Sequence, residues 1–527
     1  MLPFFVILPM VIAVFLFLTK NNNVVMLLSV VFQFVLFVLA VWLVMETRDV
    51  DVFFNIGDYE DMMGIILRAN SLSAVFVLLT TFVFLVISVF TYKDNREQRT
   101  FRFLLFVLES SLLGIFLTGD LFNIFVLVEV STLAIVVLTM YDRERRNMYH
   151  GKVFLLANMV AIQFYLLGLG YLYRLTGSPD MGRVTELVAV MDYRNFILPY
   201  VLIMTSIAFK CYLIPFFSWV PKAQLYPGAP SGVAAILSGL QIKSSIYLFI
   251  RFQEIFAPIA AAEFFLVIGI IMGVFGALMA ISQSDIKSIL AYSTISQVGL
   301  IIIGINAGSE YSYIGSLYHI VSHAIFKTTL FLFASIVVRT YRTADVNKIR
   351  SVAKRMPAVS IAAAAAVLGI IGAPLFNGSI SKYFITYDMG IVLNIIVVLL
   401  GFGTILYYSR FIKIFFGKGD IAAEKLEKVW VVPVCFLGII CFVGGIFGTV
   451  LINFLFREQV SINVLGYLQK SAYFAVSAIV GFIVHRYFIK SGVIFERLRG
   501  MSFNFKTICA SLLVFFVCML LYVGWLL

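Results

Sequence analysis

Seven ionisable side chains lie deep inside apolar runs of this 527-residue sequence: Glu129, Lys210, Lys243, His319, His323, Lys327 and Lys382. A lysine or carboxylate at the centre of a bilayer costs about 2.5–3.5 kcal/mol on insertion scales unless a partner or a wet cavity receives it. The chemistry open to such a set is proton transfer, because each member can take up and release a proton. Glu129 sits in GDLFNIFVLVEV, nine residues past Asp120. Burial and a nearby ammonium would compete for its charge state, leaving a group that responds when its partner moves. The alternative is a static Glu–Lys pair that holds two helices together. Lys210 stands just before Pro215 and is either a proton carrier at a helix break or a lysine snorkelling to the interface. Lys243 lies fourteen residues past Ala229 and eight before Arg251, too deep for easy snorkelling.

His319, His323 and Lys327 follow at i+4 intervals in YHIVSHAIFKTTLF, so they share one helical face. Two histidines at that spacing can bind zinc. Here no glutamate follows His319 as in HExxH, no cysteine is near, and the third group is a cation, so no metal site is expected. A hydrated stripe passing protons between neighbouring sites is one reading of the face; a satisfied hydrogen-bond cluster is the other. Lys382 follows GAPLFNGSISK and would form the far end of such a path. Asp120, Ser238, Asp285, Lys287, Ser293, Thr294 and Gln297 are supporting polar residues able to order water, although small residues also serve close helix packing. Pro215, Pro227, Pro230, Pro374 and Gly378 mark the expected helix breaks, which lipid tolerates only where protein or water satisfies the freed backbone.

The elements that must position these groups are transmembrane helices. The composition is 62% apolar and 13% charged, against about 25% charged in soluble domains. Taking roughly 20 residues per span gives about sixteen spans. Met1 leads straight into an apolar run with no small-residue cleavage site, which reads as a retained first helix. Loop charge orients the spans. The loops at 93–102, 142–152, 339–355, 410–428 and 486–499 carry +2, +2, +5, +2 and +3, while 46–68 carries −4 and 174–194 is neutral. With sixteen spans every positive loop falls on one side, the cytoplasmic side by the positive-inside rule, and both termini lie outside.

An N-terminal three-helix layer (1–100) holds almost no internal charge and reads as packing. A first five-helix repeat (101–252) and a second (259–416) carry the ionisable set, with breaks in corresponding places, the pattern of a repeat-built transporter with a midplane ion site. The C-terminal helices (429–527) read as a peripheral appendage or a subunit-contact region. The five cysteines form no CxxC pair, so neither a disulfide framework nor an iron–sulfur site is expected. There is no GxxxxGKS/T phosphate loop, no dinucleotide fingerprint before a soluble helix and no GxSxG. The net charge of +12 is spread over short loops, which argues against nucleic acid. No cofactor is expected.

GDLFNIFVLVEV, AFKCYLIPFFSWVPKAQLYPGAPSGVAAILSGLQIKSSIYLFIR, SDIKSILAYSTISQVG, YHIVSHAIFKTTLF and PLFNGSISK together resemble the large antiporter-like subunits of Mrp cation/proton antiporters, respiratory complex I and membrane-bound hydrogenases. The resemblance covers about residues 60–455 and is nearest to the D-type Mrp subunit. It implies an all-α polytopic membrane protein with a 14-helix core, two inverted five-helix repeats and interrupted helices, plus about two extra C-terminal helices. It implies that Glu129 pairs with Lys210 and that Lys243 and Lys382 carry the proton onward. It further implies other membrane subunits as partners, protons and sodium as candidate cargo, a lipid surround and a prokaryotic cell membrane. Mrp antiporter, redox-driven pump (an enzyme complex in which this chain holds no redox centre) and non-conducting structural anchor all stay open.

Overall fold

The computed structural model describes residues 1–56, 64–93, 99–141, 145–218, 231–417, 426–487, 493–501 and 504–526. Its principal helices are α1 (Leu2–Leu18), α2 (Asn22–Glu46), α3 (Ser71–Phe90), α4 (Arg99–Leu117), α5 (Leu121–Thr139), α6 (Arg145–Thr176) and the short α7 (Met181–Val190). They continue with α8 (Ile197–Lys210), α9 (Ser231–Ile236), α10 (Ile242–Ile255), α11 (Ala262–Ser282), α12 (Ile286–Ile305) and α13 (Glu310–Tyr341). The broken pair α14 (Pro357–Ile371) and α15 (Asn377–Ile385) follows, then α16 (Ile391–Ile412), α17 (Lys428–Ile446), α18 (Gly448–Phe456), α19 (Val464–Tyr487) and α20 (Phe505–Leu526). Among the described residues, thirteen helices are long and apolar enough to cross a membrane. Helix α1, the interrupted α8 and the α14–α15 pair bring the crossings to the expected sixteen.

Polar residues at the hairpins start the helices. Asp120 Oδ1 accepts the Asn123 amide at 2.6 Å, and Asp285 Oδ1 accepts the Ser288 amide at 2.9 Å, satisfying N–H groups that a helix start leaves orphaned. Both aspartates also belong to matching two-way backbone bridges. Leu121 N–H donates to Pro179 O and Met181 N–H to Gly119 O; Ile286 N–H donates to Ala344 O and Val346 N–H to Ser284 O. Five crossings separate the two bridges, so they lie at opposite ends of the bundle. That is what an inverted repeat requires: α4 to α10 and α11 to α16 present the same order of helices upside down. In each, the fourth member is interrupted, after Lys210 in one and between Ile371 and Asn377 in the other.

The layers follow from burial. In α12, 94% of the membrane-length window is buried and in α13 89%, against 6% in α19. The span 232–255, which carries Lys243, is buried to the same 94%, so the most enclosed spans are those carrying Lys243, the histidine face and its polar neighbours, while lipid-facing helices expose residues such as Ile391 and Trp525.

The structure corrects three expectations, at the acidic loop, at span 430–452 and at Gly378. The segment read as an acidic loop contains a short antiparallel hairpin, β1 (Val52–Ile56) and β2 (Ile65–Ala69), registered Val52 to Ala69, on an otherwise all-α membrane fold. Its Ile66 carbonyl accepts Gly119 N–H at 2.8 Å, tying it to the α4–α5 turn. The two C-terminal spans are peripheral by burial, at 6% and 28%, and each touches one interruption. Tyr467 of α19 accepts from Leu375 N–H at 3.2 Å, and Phe515 of α20 packs on Phe216 beyond the end of α8 at 5.3 Å between ring centroids. Span 430–452 is split at Phe447 into α17 and α18.

Gly378 is not the break itself. It lies in the first turn of α15, where a β-carbon would come within 1.8 Å of the Gly369 carbonyl oxygen, so only glycine lets the two halves approach. Pro374 lies within the break, with Gly372 in the left-handed region at φ +87°. Pro215 follows α8, whereas Pro227 and Pro230 fall outside the described residues. Gly378→Ala is expected to cost about 1–3 kcal/mol through forced backbone displacement. A fall in the thermal unfolding midpoint of the purified chain would register it; an unchanged midpoint would contradict the close approach.

Candidate functional site

The interruptions and the buried helices bring polar groups into one seam. A π-helical turn at Leu237–Gln241 joins α9 to α10 and presses Gly239 against α13, where a β-carbon would lie 2.8 Å from Thr328 Oγ1. Such turns recur at functional sites. It places the Ser238 carbonyl 2.6 Å from Lys243 Nζ, and Ser238 Oγ 2.8 Å from Thr294 Oγ1 of α12. Lys243 is fully buried, and its Nζ also lies 2.6 Å from Nδ1 of the equally buried His323. An ammonium donating to a neutral imidazole and an imidazolium donating to a neutral amine both satisfy this contact. The two states differ by one proton transfer.

The histidine face extends in both directions. His319 Nδ1 is 2.8 Å from Ser381 Oγ, and its Nε2 is 3.1 Å from Gln297 Oε1. Gln297 Nε2 in turn donates to Thr404 Oγ1 at 3.2 Å and Tyr407 OH at 3.3 Å on α16. Lys327 Nζ donates to the Leu290 carbonyl at 2.7 Å and to Ser293 Oγ, which is 3.4 Å from Tyr408 OH. Ser381 is the sequence neighbour of Lys382, whose Nζ donates to the Ile370 carbonyl at 2.8 Å across the break. That carbonyl lies in the last turn of α14, where the interruption leaves backbone acceptors without helical partners.

Lys210 occupies the other end. Its Nζ donates to Thr132 Oγ1 and Asn158 Oδ1, both at 3.2 Å. Thr132 is three residues beyond Glu129 on α5. The direct Glu129–Lys210 ion pair is absent among the described residues: no oxygen of the carboxylate lies within 4.0 Å of the ammonium, and Glu129 Oε1 has no hydrogen-bond partner. The hydroxyl and amide hold the lysine instead. Gln241 Oε1, His323 Nε2, Ser322 Oγ and Thr328 Oγ1 are likewise buried without a protein partner. A buried polar atom left unmatched costs about 1–3 kcal/mol, and water is the usual group that satisfies it. These atoms accompany the seam and mark where hydration would join its separate pieces.

Not every predicted residue takes part. Asp120 and Asp285 cap helices at the ends of the bundle, where burial raises both carboxyl groups above the ordinary aspartate value. Lys287 lies two residues past Asp285, in the buried first turn of α12. Sequence reasoning missed Thr132, Asn158, Ser381, Thr404, Tyr407 and Tyr408, whose neutral side chains give no charge signal; only the polar doublet in LYYSR stands out from its apolar run. It also missed a polar contact in the supposed packing layer, where Gln33 of α2 donates to the buried Glu109 of α4. Among the described residues no three His, Cys, Asp or Glu side chains converge as a metal site would require.

A helical bundle crossing the bilayer, with inverted repeats, paired interruptions and a buried lysine–histidine seam, defines a multi-pass membrane protein built around titratable groups. The chain belongs to the NADH:quinone oxidoreductase/Mrp antiporter transmembrane family, which matches residues 118–406. The NADH-quinone oxidoreductase N subunit of Desulforudis audaxviator is 33% identical over 401 residues, covering 71% of this chain and 78% of its own. The Na(+)/H(+) antiporter D subunit of Alkalihalophilus pseudofirmus is 30% identical over 336 residues, covering 62% and 68%. A chain in the structure of the Mrp complex from a Dietzia species shares the fold at a TM-score of 0.81 and 20% identity, over 92% of this chain and 99% of that one.

Proposed function

We propose that this chain is the proton-translocating, antiporter-like subunit of a multisubunit Mrp-type cation/proton antiporter in a prokaryotic cell membrane, with both termini outside. The observation that supports it is the buried Lys243–His323 contact at 2.6 Å, where the two repeats meet. A scaffold gains nothing from a lysine placed there, since a well-packed apolar residue of similar volume is often as stable or more so. Residues 101–252 and 259–416 form the working pair of repeats, and 1–100 and 429–527 flank them. Protons enter near Glu129 and Lys210, pass Lys243 and the His323–Lys327 face, and leave by Lys382. Moving one charge across the membrane is worth about 2.3 kcal/mol per 100 mV, so a change in the Glu129–Lys210 separation is an adequate electrostatic drive.

The 33% identity to a quinone oxidoreductase subunit favours a second reading, a redox-driven pump. The intact assembly in proteoliposomes separates them. A sodium gradient that moves protons without any electron donor is the expected result. Proton movement only on addition of a reductant would select the pump, and movement under neither condition would leave a structural anchor.

A further inference from the structure

The space between α15, α16 and α19 encloses a cavity of about 500 Å³ that adjoins the proposed proton exit at Lys382 and extends beyond it to α19. Much of its wall is apolar, with Ile395, Leu399 and Phe474 among the lining residues, yet Lys382 and Lys470 both line it. Lys470 comes from α19, beyond the segment that defines the family. Its Nζ donates to the Tyr383 carbonyl at 3.1 Å and to Thr386 Oγ1, and lies 4.8 Å from the centre of the Tyr383 ring. An ammonium has three donors; Lys470 spends two on described protein atoms and Lys382 one. No carboxylate lines the cavity among the described residues.

Depth fits the same picture. The C-terminal end of α15 and the N-terminal end of α19 lie on one side of the bundle, because two crossings separate them. Lys470 stands six residues into α19, roughly 9 Å along the helix axis, within reach of the headgroup region for a side chain that snorkels. An apolar gap opening towards lipid and topped by two ammoniums without a protein counter-charge complements one kind of molecule, an anionic amphiphile.

We infer that this cavity binds an anionic phospholipid, the phosphate between Lys470 and Lys382 and an acyl chain along α16 and α19. An acidic headgroup satisfies the donors that the two ammoniums leave unspent, and the apolar wall receives the chain. The inference concerns binding and stands whether or not the seam conducts protons. Native mass spectrometry of the delipidated full chain, titrated with phosphatidylglycerol or phosphatidylcholine, tests it.

The wild type should retain phosphatidylglycerol preferentially, and Lys470→Met should weaken that retention about fivefold while Lys470→Arg keeps it. Lys506→Met, outside the cavity lining, is the control. Equal retention of the two lipids by the wild type, or the same small loss in Lys470→Met and Lys506→Met, would overturn the inference. A photoreactive benzophenone side chain at Phe474 in native membranes supplies a second measurement that needs no change at Lys470. A lipid adduct supports the site. An adduct to another protein chain would show that a neighbouring protein, and not a lipid, fills the gap.

Discussion

Lys243→Met should fold normally and lose proton-coupled transport by roughly a hundredfold, the scale on which a positioned proton carrier acts. The two halves of this expectation come from different physics. Lys243 Nζ touches only the Ser238 carbonyl and His323 Nδ1 among the described hydrogen-bond partners. Removing it relieves the desolvation of a buried ammonium and leaves the Ser238 carbonyl and His323 Nδ1 unmatched, at about 1–3 kcal/mol each, opposing changes that keep the fold in place. Conduction has no such compensation, because a thioether neither binds nor releases a proton. Flux in proteoliposomes, read beside the thermal midpoint, separates the two effects. Full flux would remove Lys243 from the path; a collapsed midpoint would make it a structural residue.

Lys210→Met is expected to have an effect of similar size for a different reason. Its ammonium is held 3.2 Å from Thr132 Oγ1 and 3.2 Å from Asn158 Oδ1, not by Glu129. Such a tether leaves the lysine free to approach or leave the carboxylate as the helices shift. Lys210→Arg should fail almost as badly, since a guanidinium stays protonated and cannot hand a proton on. The double change Thr132→Val with Asn158→Leu keeps the lysine and removes its tether, so it should reduce flux by only about tenfold, equivalent to roughly 1.4 kcal/mol in the barrier. Flux retained by Lys210→Arg would mean that its charge, not its titration, matters.

The helices and the seven titratable positions were legible because a charged residue inside an apolar run stands out in any window of membrane length. The repeat was legible from the matching breaks near Pro215 and Pro374, and its inversion only from the family resemblance. The connections were not. Whether Lys327 meets His323 or Ser293 depends on which turn of α12 faces α13, and a sequence period does not fix that rotation. Equally invisible was the tethering of Lys210, because Asn158 looks like any amide in a long span. The β1–β2 hairpin was hidden by its acidic flanks, although Val52–Ile56 and Ile65–Ala69 are short runs bounded by polar residues. The C-terminal spans carry little charge, so the contacts of Tyr467 and Phe515 with the two interruptions left no signal in the sequence.

Everything functional here depends on continuity between sites that protein atoms alone do not join. A high-resolution cryo-electron microscopy map of the intact assembly in lipid would test this most directly. Ordered water reaching Glu129 Oε1, Gln241 Oε1 and His323 Nε2, and linking Lys210 through Lys243 to Lys382, is the predicted result. Dry, closely packed side chains between Lys210 and Lys243, or lysines turned out to bulk solvent, would contradict proton conduction while leaving the fold intact.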